Sequence, residues 1–115
     1  MPLLKLQLSS GLEGDKKAAV LTALSKLLAE GLNKPEKYVM VVIEDASIIM
    51  SGEIGPAAFV DVKSIGGLDG NVNKTMSGKL CAFLKDNLGI PTDKIFINYT
   101  DMNAGNWGWN GSTFG

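Results

Sequence analysis

Leu4, Leu6 and Leu8 alternate with Lys5 and Gln7, the two-residue period of a strand with one buried face, and predict a first strand over about residues 2 to 8. After Ser9-Ser10-Gly11 and Gly14-Asp15 the spacing changes. Val20, Leu24, Leu27 and Leu28 then share one stripe of a helix expected to stop at Gly31, ahead of Pro35. Tyr38 to Glu44 reads as a second strand. The order recurs: Ala57 to Ile65 reads as a strand, Val72, Met76, Leu80, Phe83 and Leu84 as the stripe of a helix ending at Gly89 before Pro91, and Lys94 to Tyr99 as the last strand.

Pro35 and Pro91 are 56 positions apart, as are Tyr38 and Lys94. The chain therefore reads as two tandem βαβ units, an internal duplication, since solenoids need at least about three repeats. The fold class expected is α/β (α+β), a four-stranded sheet with both helices on one face, because parallel crossovers are right-handed. That arrangement leaves the other face bare. Yet Val39-Met40-Val41-Val42-Ile43 is apolar at every position, the mark of a strand covered on both sides. Something outside the monomer must cover it, and an oligomer is expected.

Two segments fall outside the duplication. Ala46 to Gly55 carries Ile48-Ile49-Met50 between Ser and Gly residues, which suits a short edge strand able to pair with a neighbouring subunit, or else a hydrophobic surface loop. Asn103 to Gly115 has the Gly and Asn content of a flexible tail but holds both tryptophans, Trp107 and Trp109, and disordered tails are poor in aromatics. It is expected to be ordered.

Composition removes whole classes of function. A chain of 115 residues is about one domain, residues 1–115. Eleven basic and twelve acidic residues give a net charge of −1, with no basic cluster larger than Lys16-Lys17, so nucleic acid is not an expected partner. The longest apolar run, Val39 to Ile43, is far short of the ~20 residues that span a membrane. No signal peptide pattern is present, and a soluble, cytoplasmic protein is expected. One cysteine, Cys81, and no histidine preclude a four-ligand Cys/His zinc site and a disulfide framework within the chain. They also preclude Ser-His and Cys-His nucleophiles. An enzyme built from this chain must take its base from a carboxylate, a perturbed lysine or the N-terminal amine. Cys81 reads as a small buried hydrophobe.

The Pro2 start, Asn33-Lys34-Pro35, Lys63-Ser64-Ile65-Gly66-Gly67, Ile97-Asn98-Tyr99-Thr100-Asp101-Met102-Asn103 and Gly108-Trp109-Asn110-Gly111-Ser112-Thr113-Phe114 together resemble the macrophage migration inhibitory factor family of the tautomerase superfamily. The resemblance covers essentially the whole chain. It implies a homotrimer whose sheets line a central barrel, with cofactor-free keto–enol tautomerase sites at the subunit interfaces.

Proline after the initiator Met is a setting in which Met1 is normally removed, exposing a secondary amine. By resemblance Pro2 is the base, moving a proton between the carbon next to a carbonyl and the other end of the enol system. Its ordinary value is ~7.7 to 8.0, or somewhat higher for a secondary amine, so burial and a nearby cation are needed to bring it toward neutrality. Lys34 is that cation. The substrate expected is an aryl keto acid such as phenylpyruvate, with dopachrome-like esters also considered. Lys34 and the Ile65 N–H would meet its developing negative charge, Ser64 belongs to the same binding segment, and Asn98 would come from a neighbouring subunit. Tyr38, Phe96, Trp107, Trp109 and Phe114 would hold the ring. No metal and no cofactor are implied.

The chain departs from the better-known animal members in places. Phe96 stands where many carry a tyrosine, Trp107 replaces a small aliphatic residue at the rim, and Pro56-Ala57-Ala58-Phe59-Val60 lacks the CxxC pair of some members, which leaves Cys81 without a thiol partner. A competing expectation is a cytokine-like interaction protein that binds a receptor and keeps a vestigial pocket. Hydratase-type chemistry fits less well, because members of that kind place arginines in the pocket and this chain relies on lysine.

Overall fold

A computed structural model describes residues 1–115. In chain order the elements are β1 (Pro2–Leu8), α1 (Gly14–Leu32), a 3-10 turn (Glu36–Tyr38), β2 (Met40–Asp45), β3 (Ile49–Met50), β4 (Glu53–Ile54), β5 (Ala58–Ser64), α2 (Gly70–Leu88), a turn (Thr92–Lys94), β6 (Ile95–Asp101), a turn (Ala104–Asn106), β7 (Gly108–Trp109) and β8 (Ser112–Thr113). The main sheet has the order β2-β1-β5-β6. β1 runs parallel to β2 and β5 parallel to β6, while β1 and β5 meet antiparallel. These are the two βαβ units.

The duplication extends to the core. Leu4, Leu6, Val20, Leu24 and Leu28 are buried, and so are Val60, Val62, Met76, Leu80 and Leu84, each 56 positions further on. The two helices are offset by the same number at both ends. Leu4, Leu6 and Leu8 of β1 and Ala58, Val60 and Val62 of β5 point into one cluster with the stripes of both helices. Both helices thus cover one face of the sheet. The opposite face carries rows of register partners: Met40, Leu3, Lys63 and Thr100; Val42, Lys5, Asp61 and Asn98; Glu44, Gln7, Phe59 and Phe96. No helix lies on it.

Four details refine the sequence pattern. α1 passes through Gly31 and ends at Leu32, with Asn33 in the left-handed region at φ 53°. Gly31 instead faces the Met76 side chain, whose terminal methyl would have to move to admit a Cβ there. The second strand starts at Met40, because Pro35 opens a turn that takes up Tyr38. Within the single chain β2 is not buried on both sides: it is an edge strand, and Met40 is 62% exposed. Finally, Ile49 pairs with Ile54 across a tight hairpin whose turn residues Ser51 and Gly52 both have positive φ, and Ile48 stays outside it. The C-terminal segment is ordered, as β7 and β8 pair around Asn110 and Gly111, again both at positive φ.

Candidate active site

The site is assembled at the end of the sheet where β1 begins and β5 ends. Pro2 and Ser64 are register partners there, and both are fully buried. Beyond Ser64 the chain turns through Gly66 and Gly67, whose φ values of 72° and 80° are ones that glycine adopts without steric cost. The turn is held from several sides. Ser64 Oγ donates to the Gly66 carbonyl at 2.7 Å, the Gly66 N–H donates to Asp101 Oδ1 at 3.0 Å, and Met102 N–H donates to the Ser64 carbonyl at 2.8 Å. The Ile65 N–H has no acceptor within the chain.

Lys34 reaches this turn because of how α1 ends. Asn33 N–H donates to the Glu30 carbonyl and Lys34 N–H to the Ala29 carbonyl, the paired bonds of a helix that stops on a left-handed residue. The half-buried Lys34 side chain then crosses the glycines, and its Nζ donates to the Ile65 carbonyl at 3.2 Å. A Cβ at Gly67 would stand 3.0 Å from Lys34 Cε. The bare turn therefore gives the lysine its path.

A cavity of about 400 Å³ opens beside Pro2. Tyr38, Trp107, Trp109 and Phe114 form one wall, and Met1, Leu3, Met40 and Met102 add apolar surface. Trp109 and Phe114 stack with ring centres 5.6 Å apart and planes 10° from parallel, while Tyr38 meets them edge-on at 5.4 and 6.1 Å. The β7–β8 hairpin holds this wall through the Phe114 N–H bond to the Trp107 carbonyl. Two cations, Lys37 and Lys63, line the cavity, and no carboxylate does. Lys63 is paired with Asp61 at 2.7 Å, and Lys37 Nζ lies 4.9 Å from the centre of the Tyr38 ring. Burial lowers the pKa of the Met1 amine, and the Lys34 ammonium lowers it further.

The residues expected from the sequence thus divide into groups. Pro2, Tyr38, Trp107, Trp109 and Phe114 line one cavity, with Lys34 and Ile65 at the adjoining turn. Ser64 is at the same turn, but its side chain is buried and its hydroxyl is engaged by Gly66, so it presents no exposed atom to a ligand. Phe96 and Asn98 lie on the helix-free face of the far edge strand, level with Gln7 and Lys5. At about 3.3 Å per residue and 4.8 Å per strand they are about 19 and 14 Å from Pro2. A single chain does not bring them to the cavity. The sequence reading passed over Lys37, Lys63, Met102 and Asn106 as lining residues. For Lys63 a signal existed: it is the register partner of Leu3, next to Pro2.

The sequence profile described as macrophage migration inhibitory factor (MIF) matches residues 1–115. The chain belongs to the macrophage migration inhibitory factor family. It is 46% identical over 96 residues to macrophage migration inhibitory factor of Meriones unguiculatus, covering 83% of this chain and 84% of that one. The structure of a MIF homologue from Prochlorococcus marinus superposes with a TM-score of 0.92 at 45% identity, covering 98% and 99% of the two chains. The same fold extends to a fused 4-OT symmetric trimer, at 22% identity, a TM-score of 0.83 and coverage of 96% and 94%.

Proposed function

We propose that this MIF-family chain is a cofactor-independent keto–enol tautomerase acting on aryl keto acids of the phenylpyruvate type, with Pro2 as the base once Met1 has been removed. The observation that carries this reading is the position of Pro2, buried at the edge of an aromatic-walled cavity with a lysine close enough to depress an amine there. With Met1 present the Pro2 nitrogen is an amide and has no basicity. Once it is free, the Pro2 amine lies one residue from the Met1 amine, whose neutral form burial and the Lys34 ammonium favour, and the same two influences are expected to favour its neutral, proton-accepting form.

In the keto-to-enol direction the neutral amine takes a proton from the carbon between ring and carbonyl, and the electron pair moves onto the carbonyl oxygen. Lys34 and the unengaged Ile65 N–H are donors for the charge that gathers there and on the adjacent carboxylate. The protonated amine then delivers its proton to the oxygen. Nothing is consumed, and the reverse path returns the proton to carbon. The ring lies against Trp109, Phe114 and Tyr38, which supply apolar surface, and the absence of lining carboxylates favours an anionic substrate.

The assembly proposed is a homotrimer, supported by the uncovered sheet face and by the trimeric state named for one structural neighbour. A neighbouring subunit would then supply Asn98 and Phe96. The test is enol–keto conversion of phenylpyruvate, followed by absorbance, on protein shown by mass to begin at Pro2. Conversion that falls at least about a hundred-fold in Pro2→Gly supports the reading; equal conversion by that variant overturns it.

A further inference from the structure

The turn that carries the Ile65 N–H is fixed by two side chains that never face the cavity. Gly66 is gripped at both ends of its backbone: its carbonyl accepts from Ser64 Oγ at 2.7 Å, and its N–H donates to Asp101 Oδ1 at 3.0 Å. Ser64 and Asp101 are register partners on β5 and β6. The two grips therefore come from adjacent, hydrogen-bonded strands, and they reach a residue in the left-handed region at φ 72°. A third bond, from Lys34 Nζ, occupies the Ile65 carbonyl. Within the turn the Ile65 N–H, like that of Gly67, has nothing to bond inside the chain, and it is the one flanked by the held Gly66 peptide and the Lys34-bound carbonyl.

We infer that Ser64 and Asp101 are positioning residues that lock the 64–67 turn so that the Ile65 N–H is aimed, ready-made, at the carboxylate or enolate of a bound acid. This rests on the proposed tautomerase reading for its substrate, but it concerns binding and does not depend on which group moves the proton. Ser64 acts through Gly66, and the direct contact assigned to it by family resemblance is replaced. The physical reason is pre-organisation: a peptide free to rotate would lose its alignment with the anion, whereas one held by a buried hydroxyl and a carboxylate keeps its donor in place before the ligand arrives. Asp101 bonds to a neutral N–H with one oxygen, so the asparagine carbonyl oxygen can take its place.

The experiment uses phenylacetate, an aryl carboxylate without a ketone, titrated into the uniformly 15N-labelled full-length protein. The Ile65 amide signal is expected to move with saturation. Ser64→Ala and Asp101→Ala should each weaken phenylacetate binding about ten-fold, and Asp101→Asn should stay within about two-fold of the unmodified protein. Unchanged affinity in both alanine variants, or an Ile65 signal that never moves, overturns the inference. Should the alanine variants not fold, amide exchange in the unmodified protein decides it: Gly66 N–H must be protected and Ile65 N–H must exchange freely, and equal rates overturn the lock. A Pro2→Gly protein that keeps its activity while phenylacetate binding behaves as expected refutes the base alone and leaves the lock standing.

Discussion

Lys34 Nζ lies 3.2 Å from the Ile65 carbonyl oxygen, so the cation that depresses the N-terminal amine is tied to the same residue whose N–H is free for a ligand. One bond thereby couples the electrostatics of the N-terminus to the geometry of the 64–67 turn. A lysine has three donors, and this bond uses one.

Lys34→Ala is expected to change both properties. Burial, the larger cause, and the lysine, the smaller, each favour the neutral form of the Met1 amine, and both are expected to act on the Pro2 amine that replaces it. Removing only the lysine raises the amine pKa part of the way back, and the ascending limb of kcat/KM moves to higher pH. KM for phenylpyruvate should rise about ten-fold or more, since a charge-assisted contact is lost. A pH–rate profile with an unmoved limb and an unchanged KM would contradict both roles.

Gly67→Ala tests the path of the lysine. At φ 80° a side chain is strained, and the added Cβ would stand 3.0 Å from Lys34 Cε and 3.4 Å from the Leu32 carbonyl oxygen. The variant should lose about 1 to 3 kcal/mol of stability in denaturant titration and show a raised KM like that of Lys34→Ala. Stability and KM equal to those of the parent would show that the glycine is dispensable.

Trp109→Ala removes the ring that stacks on Phe114 and meets Tyr38 edge-on. Because Trp109 is 52% exposed, the main effect should fall on the substrate. KM for phenylpyruvate is expected to rise about ten-fold, with a smaller effect on pyruvate, which has no ring to lose. Equal effects on the two substrates would argue against ring contact.

The helix-side half of the fold was legible because the hydrophobic period is strict: Leu4, Leu6 and Leu8 alternate, and Leu24, Leu28, Leu80 and Leu84 fall on helical stripes. Where a position answers to two demands, the reading failed. Gly31 looks like a helix stop, yet it lies inside α1 against Met76, and the stop belongs to Asn33, one of the few non-glycine residue types that tolerate the left-handed region. Tyr38 has the composition of a strand start, but the constraint at Pro35 places it in a turn, which turns its ring toward Trp109. Ser64 is polar and sits inside a binding motif, while strand parity buries it. Phe96 and Asn98 stand on the far edge strand, which agrees with the expectation that Asn98 serves a neighbouring subunit's site; local periodicity carries no signal of such a contact.

Phe96→Asp addresses that contact. Phe96 is 64% exposed on the helix-free face, and a charge there should oppose its burial by another copy. The parent is expected to sediment at three times the 12.2 kDa chain mass, and the variant at a lower mass with reduced activity. A parent that sediments as a single chain would contradict the proposed trimer.

The central claim is that Pro2 is a base made effective by burial and by Lys34. The most direct measurement is the titration of the Pro2 amine by 15N NMR in processed, proline-labelled protein, set beside the pH dependence of kcat/KM for phenylpyruvate. The account predicts an amine that titrates below the ordinary range of about 8, at the same pH as the ascending limb of the rate. An amine that titrates in its ordinary range, or a rate that does not follow it, would contradict the claim.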